Sequence, residues 1–244
     1  MAEIVAIDKS SVHRICSGQV VLSLAVAVKE LVENALDAGA TRVRVEVEDG
    51  GKRRIRVLDN GCGMSDEDAL TALLRHATSK VESAEDLRRI GTLGFRGEAL
   101  PSIRSVSRFT LRTRRPEDDC GVTIVADGPD EQELTPSGGP AGTEITVRDL
   151  FFNVPARRKF LRRTGTEMSR ITAFMDQIAL GWPEVHFTLV HNGRRSADYP
   201  ADRDLQARIL AVLGRDTCHR LYKVSLGMGD HAVIGYTSEP TLNW

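Results

Sequence analysis

The chain has 244 residues, of which 41% are hydrophobic and 27% charged, and its formal net charge is −1. These values are typical of a globular protein and exclude a chain that binds DNA or an anionic membrane with its whole surface. No apolar run reaches the roughly 20 residues of a membrane-spanning helix, and the N-terminus lacks the pattern of a signal peptide. The four cysteines form no C-x-x-C pair, which predicts free thiols.

Helical and alternating patterns predict a mixture of α-helices and β-strands. The proline-free segment Val20–Ala38 predicts a helix that Gly39 ends. Valine or isoleucine alternates with charged residues at 41–48 and 54–58, on either side of the turn 49–52, which predicts a hairpin. Further helices are predicted at about 66–75 and 83–89 (each behind a serine N-cap), 98–106, 167–180 and 204–213, and further strands at 107–113, 120–127, 144–147, 185–190, 220–226 and 231–237.

The predicted fold class is α+β, a two-layer sandwich in which a mostly antiparallel mixed sheet carries helices on one face. The segment Pro129–Gly142 is rich in Pro, Gly and Glu and is predicted to be a loop. A new helix and strand pattern begins after Pro200. We therefore expect a first domain over 1–203 and the truncated beginning of a second α/β domain over 204–244.

Three polar residues interrupt the apolar pattern of the first helix. Glu30, Asn34 and Asp37 are spaced i, i+4 and i+7 and share one helical face. Mg²⁺ prefers oxygen ligands, so Asn34 is a candidate ligand, and Glu30 is a candidate general base for an attacking water. A solvated face with an ordinary Lys29–Glu33 pair explains the same residues, so both interpretations stay open at this point.

Two glycine-containing segments are also candidates for ligand binding. In Asp59-Asn-Gly-Cys-Gly63 the carboxylate can accept a hydrogen bond from an exocyclic amine such as that of adenine. Gly61 and Gly63 let the backbone approach a flat ring, although the same letters also form ordinary turns. The segment 91–99 contains three glycines before a predicted helix, so its backbone amides form either an anion site or a plain connector.

In this order and spacing, E-L-V-E-N-A-L-D-A-G-A, D-N-G-C-G-M and G-T-L-G-F-R-G-E-A-L resemble the ATP site of the GHKL superfamily (gyrase, heat-shock chaperones, histidine kinases and MutL). Arg75–Lys80 and Asp149–Phe160 are similar to segments of MutL-type DNA mismatch repair proteins. The resemblance covers roughly residues 5–240. It implies the GHKL ATPase fold and a mismatch repair protein that binds and hydrolyses ATP with Mg²⁺.

The resemblance also implies roles for individual residues. Glu30 would be the general base, Asn34 the Mg²⁺ ligand and Asp59 the acceptor for the adenine amine. The segment from about 75 to 97 would be a lid that orders over the nucleotide, and ATP would favour a closed dimer. The remaining residues of the nucleotide site would be Asp37, Gly61, Gly63, Met64, Thr78, Ser79, Lys80, Gly94, Phe95, Arg96, Gly97, Glu98 and Thr143.

Five basic residues near a predicted helix form a candidate surface for weak contact with DNA phosphate, although charge runs are more often solvated faces. They are Arg157, Arg158, Lys159, Arg162 and Arg163, here called the basic cluster. The resemblance implies as further partners a second MutL-type subunit, in a homo- or heterodimer, and a mismatch-recognition protein, but no membrane. It also implies action in the cytoplasm, or in the nucleus of a eukaryote.

Two other functions are consistent with some of the sequence motifs. Another GHKL ATPase, such as a topoisomerase subunit, would share the ATP motifs, but Phe95–Glu98 and Asn153–Arg157 count against it. A nucleotide-gated binding module without useful turnover would not need the general base Glu30. Family members take a lysine that contacts the γ-phosphate from a second domain beyond residue 244, so we expect this chain to bind nucleotide and to hydrolyse it weakly.

Overall fold

The computed structural model describes residues 23–75, 77, 92–94, 97–129, 132–202, 204–229 and 231–241. The helices are α1 (Leu24–Asp37), α2 (Asp66–Thr71), α3 (Ala99–Ser105), α4 (Pro155–Arg158), α5 (Thr164–Gly181) and α6 (Leu205–Cys218). The strands are β1 (Arg42–Glu48), β2 (Arg54–Asp59), β3 (Arg108–Arg114), β4 (Gly121–Asp127), β5 (Gln132–Ser137), β6 (Gly142–Arg148), β7 (His186–His191), β8 (Arg194–Tyr199), β9 (Leu221–Met228) and β10 (His231–Ser238). The helix predicted at 83–89 lies outside the described residues.

The strands form a large mixed sheet and a separate hairpin. The eight-stranded sheet has the order β5-β4-β3-β6-β2-β1-β7-β8. Its strand pairs are antiparallel except for β1 and β7, which are parallel. Strands β9 and β10 form the two-stranded antiparallel hairpin. The predicted mostly antiparallel mixed sheet is confirmed.

One face of the sheet carries the helices. Helices α1, α3 and α5 pack on the inward side chains of the strands and share one hydrophobic core with them. On β1, Val43, Val45 and Val47 are buried and alternate with more exposed charged residues, as predicted. The opposite face carries charged pairs such as Arg56 and Glu144, whose side chains lie 2.7 Å apart. The α+β two-layer sandwich is therefore confirmed.

Helix α1 begins at Leu24, later than the predicted start at Val20. Ser23 has an extended backbone, and its hydroxyl accepts a hydrogen bond from the Val26 amide at 3.3 Å, so it caps the helix. The apolar face of α1 lies in the core, while Glu30 and Asn34 are half-buried outside that face. Gly39 follows the helix with a φ of +72°, as the predicted end requires.

Two edge strands differ from the predictions. The prediction of a loop over Pro129–Gly142 is wrong, because Gln132–Ser137 forms the edge strand β5. Its side chains are mostly exposed, so it has no apolar alternation, and Pro136 is tolerated because the strand lies at the sheet edge. The opposite edge strand, β8, was not predicted. It follows the turn Asn192-Gly193, where both residues have positive φ, as a tight hairpin requires.

The other predicted helices and strands within the described residues are present, with ends that differ by a few residues. Helix α2 ends at Thr71, before the predicted end at 75, and its cap at Ser65 is confirmed by a 3.1 Å hydrogen bond from the Asp68 amide. Helix α6 is interrupted at Gly214, which has non-helical backbone angles, and a further turn follows it.

A buried arginine connects helix α6 to the eight-stranded sheet. The guanidinium of Arg208, only 1% exposed, donates hydrogen bonds to the carbonyl oxygens of Pro183, Val185 and Pro200 at 2.6 to 3.0 Å. The division into domains at 203 and 204 stays a prediction. No helix in the described ranges is long and apolar enough to cross a membrane.

The packing of α5 on the sheet predicts the effect of shortening Ile171, which is fully buried. We expect Ile171→Ala to lower the free energy of unfolding by about 2–5 kcal/mol, because the change leaves a cavity in the core. Leu74→Ala is the control, since this leucine is 59% exposed, and it should cost less than about 0.5 kcal/mol. Urea unfolding measures both, and equal losses would contradict the assignment of α5 to the core.

Candidate functional site

The candidate site is centred on Asp59, the last residue of β2, which lies between β1 and β6 in the sheet. Its Oδ1 accepts hydrogen bonds from the backbone amides of Gly61 at 2.9 Å and Thr143 at 3.3 Å. Within the described part of the chain, Oδ2 accepts none, so it remains available to an outside donor. Burial raises the pKa of the Asp59 carboxyl to about 6, although the two backbone amides oppose this shift.

The turn after Asp59 packs tightly against neighbouring backbone. A Cβ on Gly61 would lie 2.8 Å from the carbonyl oxygen of Ala38, and the Cys62 amide donates to that same oxygen at 2.9 Å. Gly63 has a φ of +67°, and a Cβ there would lie 2.1 Å from the carbonyl oxygen of Arg114. Both glycines, predicted to admit a flat ring, are thus also required by the packing of the chain itself.

Two further predicted residues, Met64 and Thr143, are brought to Asp59 by a threonine that the sequence analysis missed. Thr113 is buried near the end of β3. Its hydroxyl oxygen accepts a hydrogen bond from the Met64 amide at 2.9 Å and lies 3.1 Å from the Thr143 hydroxyl. The signal was present, since Thr113 is a polar residue in line with the buried Phe109 and Leu111.

Asn60 is a further residue of the candidate site that the sequence analysis did not assign. Its side-chain oxygen accepts hydrogen bonds from the amides of Thr41 and Arg42 at 3.0 and 2.7 Å. Its side-chain nitrogen donates to the Thr41 hydroxyl at 2.8 Å. Asn60 therefore holds the turn after Asp59 against the start of β1.

The polar face of α1 contains the predicted base and the predicted metal ligand. Glu30 and Asn34 are half-buried, and a carboxylate oxygen of Glu30 lies 3.8 Å from the ammonium of Lys29. The ordinary Lys29–Glu33 pair also forms, at 2.7 Å. It engages Glu33 more closely than Glu30, so the pair does not by itself explain the acidic residue at position 30.

The end of α1 also contacts the third motif. The two carboxylate oxygens of Asp37 accept hydrogen bonds from the backbone amides of Leu93 at 2.9 Å and Gly94 at 3.2 Å. Together with the Ala38–Cys62 hydrogen bond, these contacts bring all three sequence motifs to one end of α1. The structure thus unites segments that are far apart in the sequence.

The other predicted site residues are placed less completely. Gly97 has a φ of +61°, and Glu98 precedes the first residue of α3. Thr78, Ser79, Lys80, Phe95 and Arg96 lie outside the described residues. No group of three or more His, Cys, Asp or Glu that could hold a metal ion occurs in the described part of the chain. Asn34 would therefore have to share Mg²⁺ with ligand phosphates and water, as is common for this ion.

The basic cluster lies on α4 and on the segment before α5, away from Asp59 in the sequence. Its members are exposed except for Arg157, which is half-buried. Arg157 and Arg162 line a shared cavity together with Arg170, a further arginine that the sequence analysis did not include. Phe160, which is 84% exposed, borders the same cavity.

Comparison with known proteins agrees with this geometry. Residues 22–133 match the family described as histidine kinase-, DNA gyrase B-, and HSP90-like ATPase. The DNA mismatch repair protein MutL of Syntrophotalea carbinolica is 51% identical over 97% of this chain and 38% of its own length. That of Desulforudis audaxviator is 48% identical over 98% of this chain and 42% of its own length. The chain thus spans about two fifths of the length of these curated relatives.

Solved structures extend the comparison to the fold. The Aquifex aeolicus MutL ATPase domain complexed with ADP is 36% identical, with a TM-score of 0.67, over 85% of this chain and 73% of that chain. The N-terminal domain of a DNA repair protein is 27% identical, with a TM-score of 0.77, over 97% of this chain and 74% of that chain. The chain therefore belongs to the MutL family of DNA mismatch repair proteins, whose ATPase domain it resembles in both sequence and fold.

Proposed function

We propose that this chain is the ATP-binding and ATP-hydrolysing switch region of a MutL-like DNA mismatch repair protein. The observation that carries the proposal is the meeting of the three motifs at the end of α1, through Asp37 and Ala38, next to the carboxylate of Asp59. The solved MutL ATPase domain of Aquifex aeolicus contains ADP, which supports a nucleotide at the same place here. The MutL relatives count against a topoisomerase subunit.

Asp59 is the proposed determinant of adenine recognition. Its Oδ1 is occupied by two backbone amides, which leaves Oδ2 to accept a hydrogen bond from the exocyclic amine. With a pKa of about 6, the carboxyl is mainly ionised at neutral pH, and an ionised acceptor makes the stronger hydrogen bond. Nucleotide affinity should therefore fall as the pH is lowered through 6.

The polar face of α1 is the proposed site of hydrolysis. Asn34 supplies a carbonyl oxygen to Mg²⁺, which neutralises charge on the phosphates when bound. Glu30, one turn earlier on the same face, accepts a proton from the attacking water. The ammonium of Lys29 lies 3.8 Å from the Glu30 carboxylate.

The switch consists of lid closure and dimerisation. The lid is the segment from about 75 to 97. ATP favours the closed state because it contacts the lid only in that state. The proposed partners are a second MutL-type subunit, a mismatch-recognition protein and DNA, which the basic cluster contacts through phosphate. With these partners, the proposed location of this chain is the cytoplasm, or the nucleus of a eukaryote.

The proposal is tested by titrating a non-hydrolysable ATP analogue into the parent chain and into Asp59→Asn by calorimetry, with and without Mg²⁺. We expect Mg²⁺-dependent binding by the parent and at least about tenfold weaker binding by the variant, because an amide N–H₂ then faces the adenine amine. The asparagine side chain retains an oxygen that can accept from Gly61 and Thr143, so the turn should keep its structure. Equal affinity in the parent and the variant would contradict the role of Asp59.

The same substitution should stabilise the fold. A carboxyl pKa of about 6, above its usual 3.8, means that ionised Asp59 costs stability above pH 6, and that this cost disappears as the pH falls towards 3.8. We expect Asp59→Asn to raise the free energy of unfolding by about 1–3 kcal/mol at pH 7.5, and by less below pH 6. Asp216→Asn, on an exposed part of α6, is the control. Loss of stability together with loss of binding would mean that the variant is simply misfolded.

Hydrolysis is tested by comparing Glu30→Gln with the neighbouring Glu33→Gln, which removes the acidic partner of Lys29 instead. We expect Glu30→Gln to lower steady-state ATP turnover by about 100-fold or more with little loss of nucleotide affinity, because a general base contributes to that extent. Glu33→Gln should retain most of the turnover. Equal turnover in Glu30→Gln and the parent would favour the nucleotide-gated binding module without useful hydrolysis.

The proposed DNA contact is tested on Arg158 and Arg163, which are both exposed. We expect the double change of these residues to Ala to flatten the slope of log affinity against log salt by about 0.9 for each phosphate that is no longer neutralised. The matched control replaces Arg53 and Arg215, two exposed arginines outside the basic cluster. An unchanged slope in the first variant would argue that the cluster is only a solvated face.

A further inference from the structure

Asp37, assigned from the sequence to the nucleotide site, engages the protein's own backbone. Both of its carboxylate oxygens are used, one by the amide of Leu93 and one by the amide of Gly94. Two successive backbone amides that converge on one carboxylate form an anion-binding arrangement. A nucleotide phosphate cannot occupy these two amides while the carboxylate does.

The position of Asp37 at the end of α1 explains why its carboxylate needs this contact. Asp37 is the last residue of α1, where the helix dipole disfavours a negative side chain. The two amide hydrogen bonds offset that cost, because hydrogen bonds to an ionised acceptor are stronger than neutral ones. An acidic residue at this helix end is therefore explained by its contact with residues 92–94, here called the glycine segment.

The segment that Asp37 holds is itself braced. The Thr92 hydroxyl donates a hydrogen bond to the Gly94 carbonyl at 2.9 Å, so the carboxylate contacts a preformed turn. On the other side, the adjacent residue Ala38 accepts the hydrogen bond from the Cys62 amide. Two consecutive residues at the end of α1 thus connect the glycine segment and the Asp59 turn to one rigid helix.

We propose that Asp37 is a positioning residue, which acts on the nucleotide phosphates by holding Leu93 and Gly94, near the C-terminal end of the proposed lid, next to α1 in the nucleotide-free chain. Glu30 and Asn34 lie on the same helix, so the contact keeps the glycine segment in register with the proposed base and metal ligand. Such pre-organisation strengthens phosphate binding and leaves adenine recognition unchanged. This inference rests on the proposed function, since it assumes a nucleotide at the site.

The first test is amide hydrogen exchange by NMR on the nucleotide-free chain. Asp37→Asn keeps the shape of the side chain but offers only one acceptor oxygen, and Asp37→Ala removes both. We expect exchange at Leu93 or Gly94 to become about tenfold faster or more in both variants, while core amides keep their protection. Unchanged exchange at both residues would overturn the inference, because the carboxylate would then not hold the segment.

The second test compares affinities for a non-hydrolysable ATP analogue and for AMP, with Asp216→Asn as the control. We expect the analogue to bind about tenfold more weakly to both Asp37 variants, with AMP affinity nearly unchanged. Equal or tighter binding of the analogue would show that Asp37 merely occupies the phosphate amides, which overturns the positioning role. Equal losses for AMP and the analogue would indicate a general structural effect and overturn it too. If the parent chain binds neither nucleotide, the proposed function itself fails.

Discussion

The site depends on one physical constraint, the burial of a carboxylate at the end of a central strand. Asp59 lies between β1 and β6, where only one of its oxygens receives hydrogen bonds from the described chain. Burial raises the pKa of its carboxyl to about 6, because it disfavours the ionised form in the free protein. In the proposed function, a hydrogen bond from the adenine amine to Oδ2 would offset part of the cost of this burial, and this would contribute to the affinity for the nucleotide.

Helix α1 connects this carboxylate with the rest of the site. Its apolar face is fixed in the core between the sheet and α5, and its polar face carries Glu30 and Asn34. Its last residues hold two other segments, the Asp59 turn through Ala38 and the glycine segment through Asp37. Because a packed helix is rigid, groups from three distant parts of the sequence can keep their relative positions without a ligand.

Much of the fold could be predicted because its strands are buried on one face. The alternation of valines in β1 follows directly from a sheet with one face in the core and the other in water. The edge strand β5 could not be found this way, since both of its faces are polar and exposed. Strand β8 left only the signal of Asn192-Gly193, which marks a hairpin without identifying its second strand.

The roles assigned to the site residues stay predictions, and several contacts of the candidate site could not be predicted from the sequence. Hydrogen-bonding capacity pointed to Asp59, whereas Thr113 acts through a side chain that joins two strands, and spacing along one segment cannot reveal that. Asp37 was expected to meet the nucleotide, yet it contacts residues more than 50 positions away. The most direct test of the central claim is therefore an NMR titration of the Asp59 carboxyl carbon with and without a non-hydrolysable ATP analogue. We expect a pKa of about 6 in the free chain and a clearly lower pKa in the complex, because the amine binds the ionised form. A pKa that stays the same at saturating nucleotide would contradict the proposed role of the buried carboxylate.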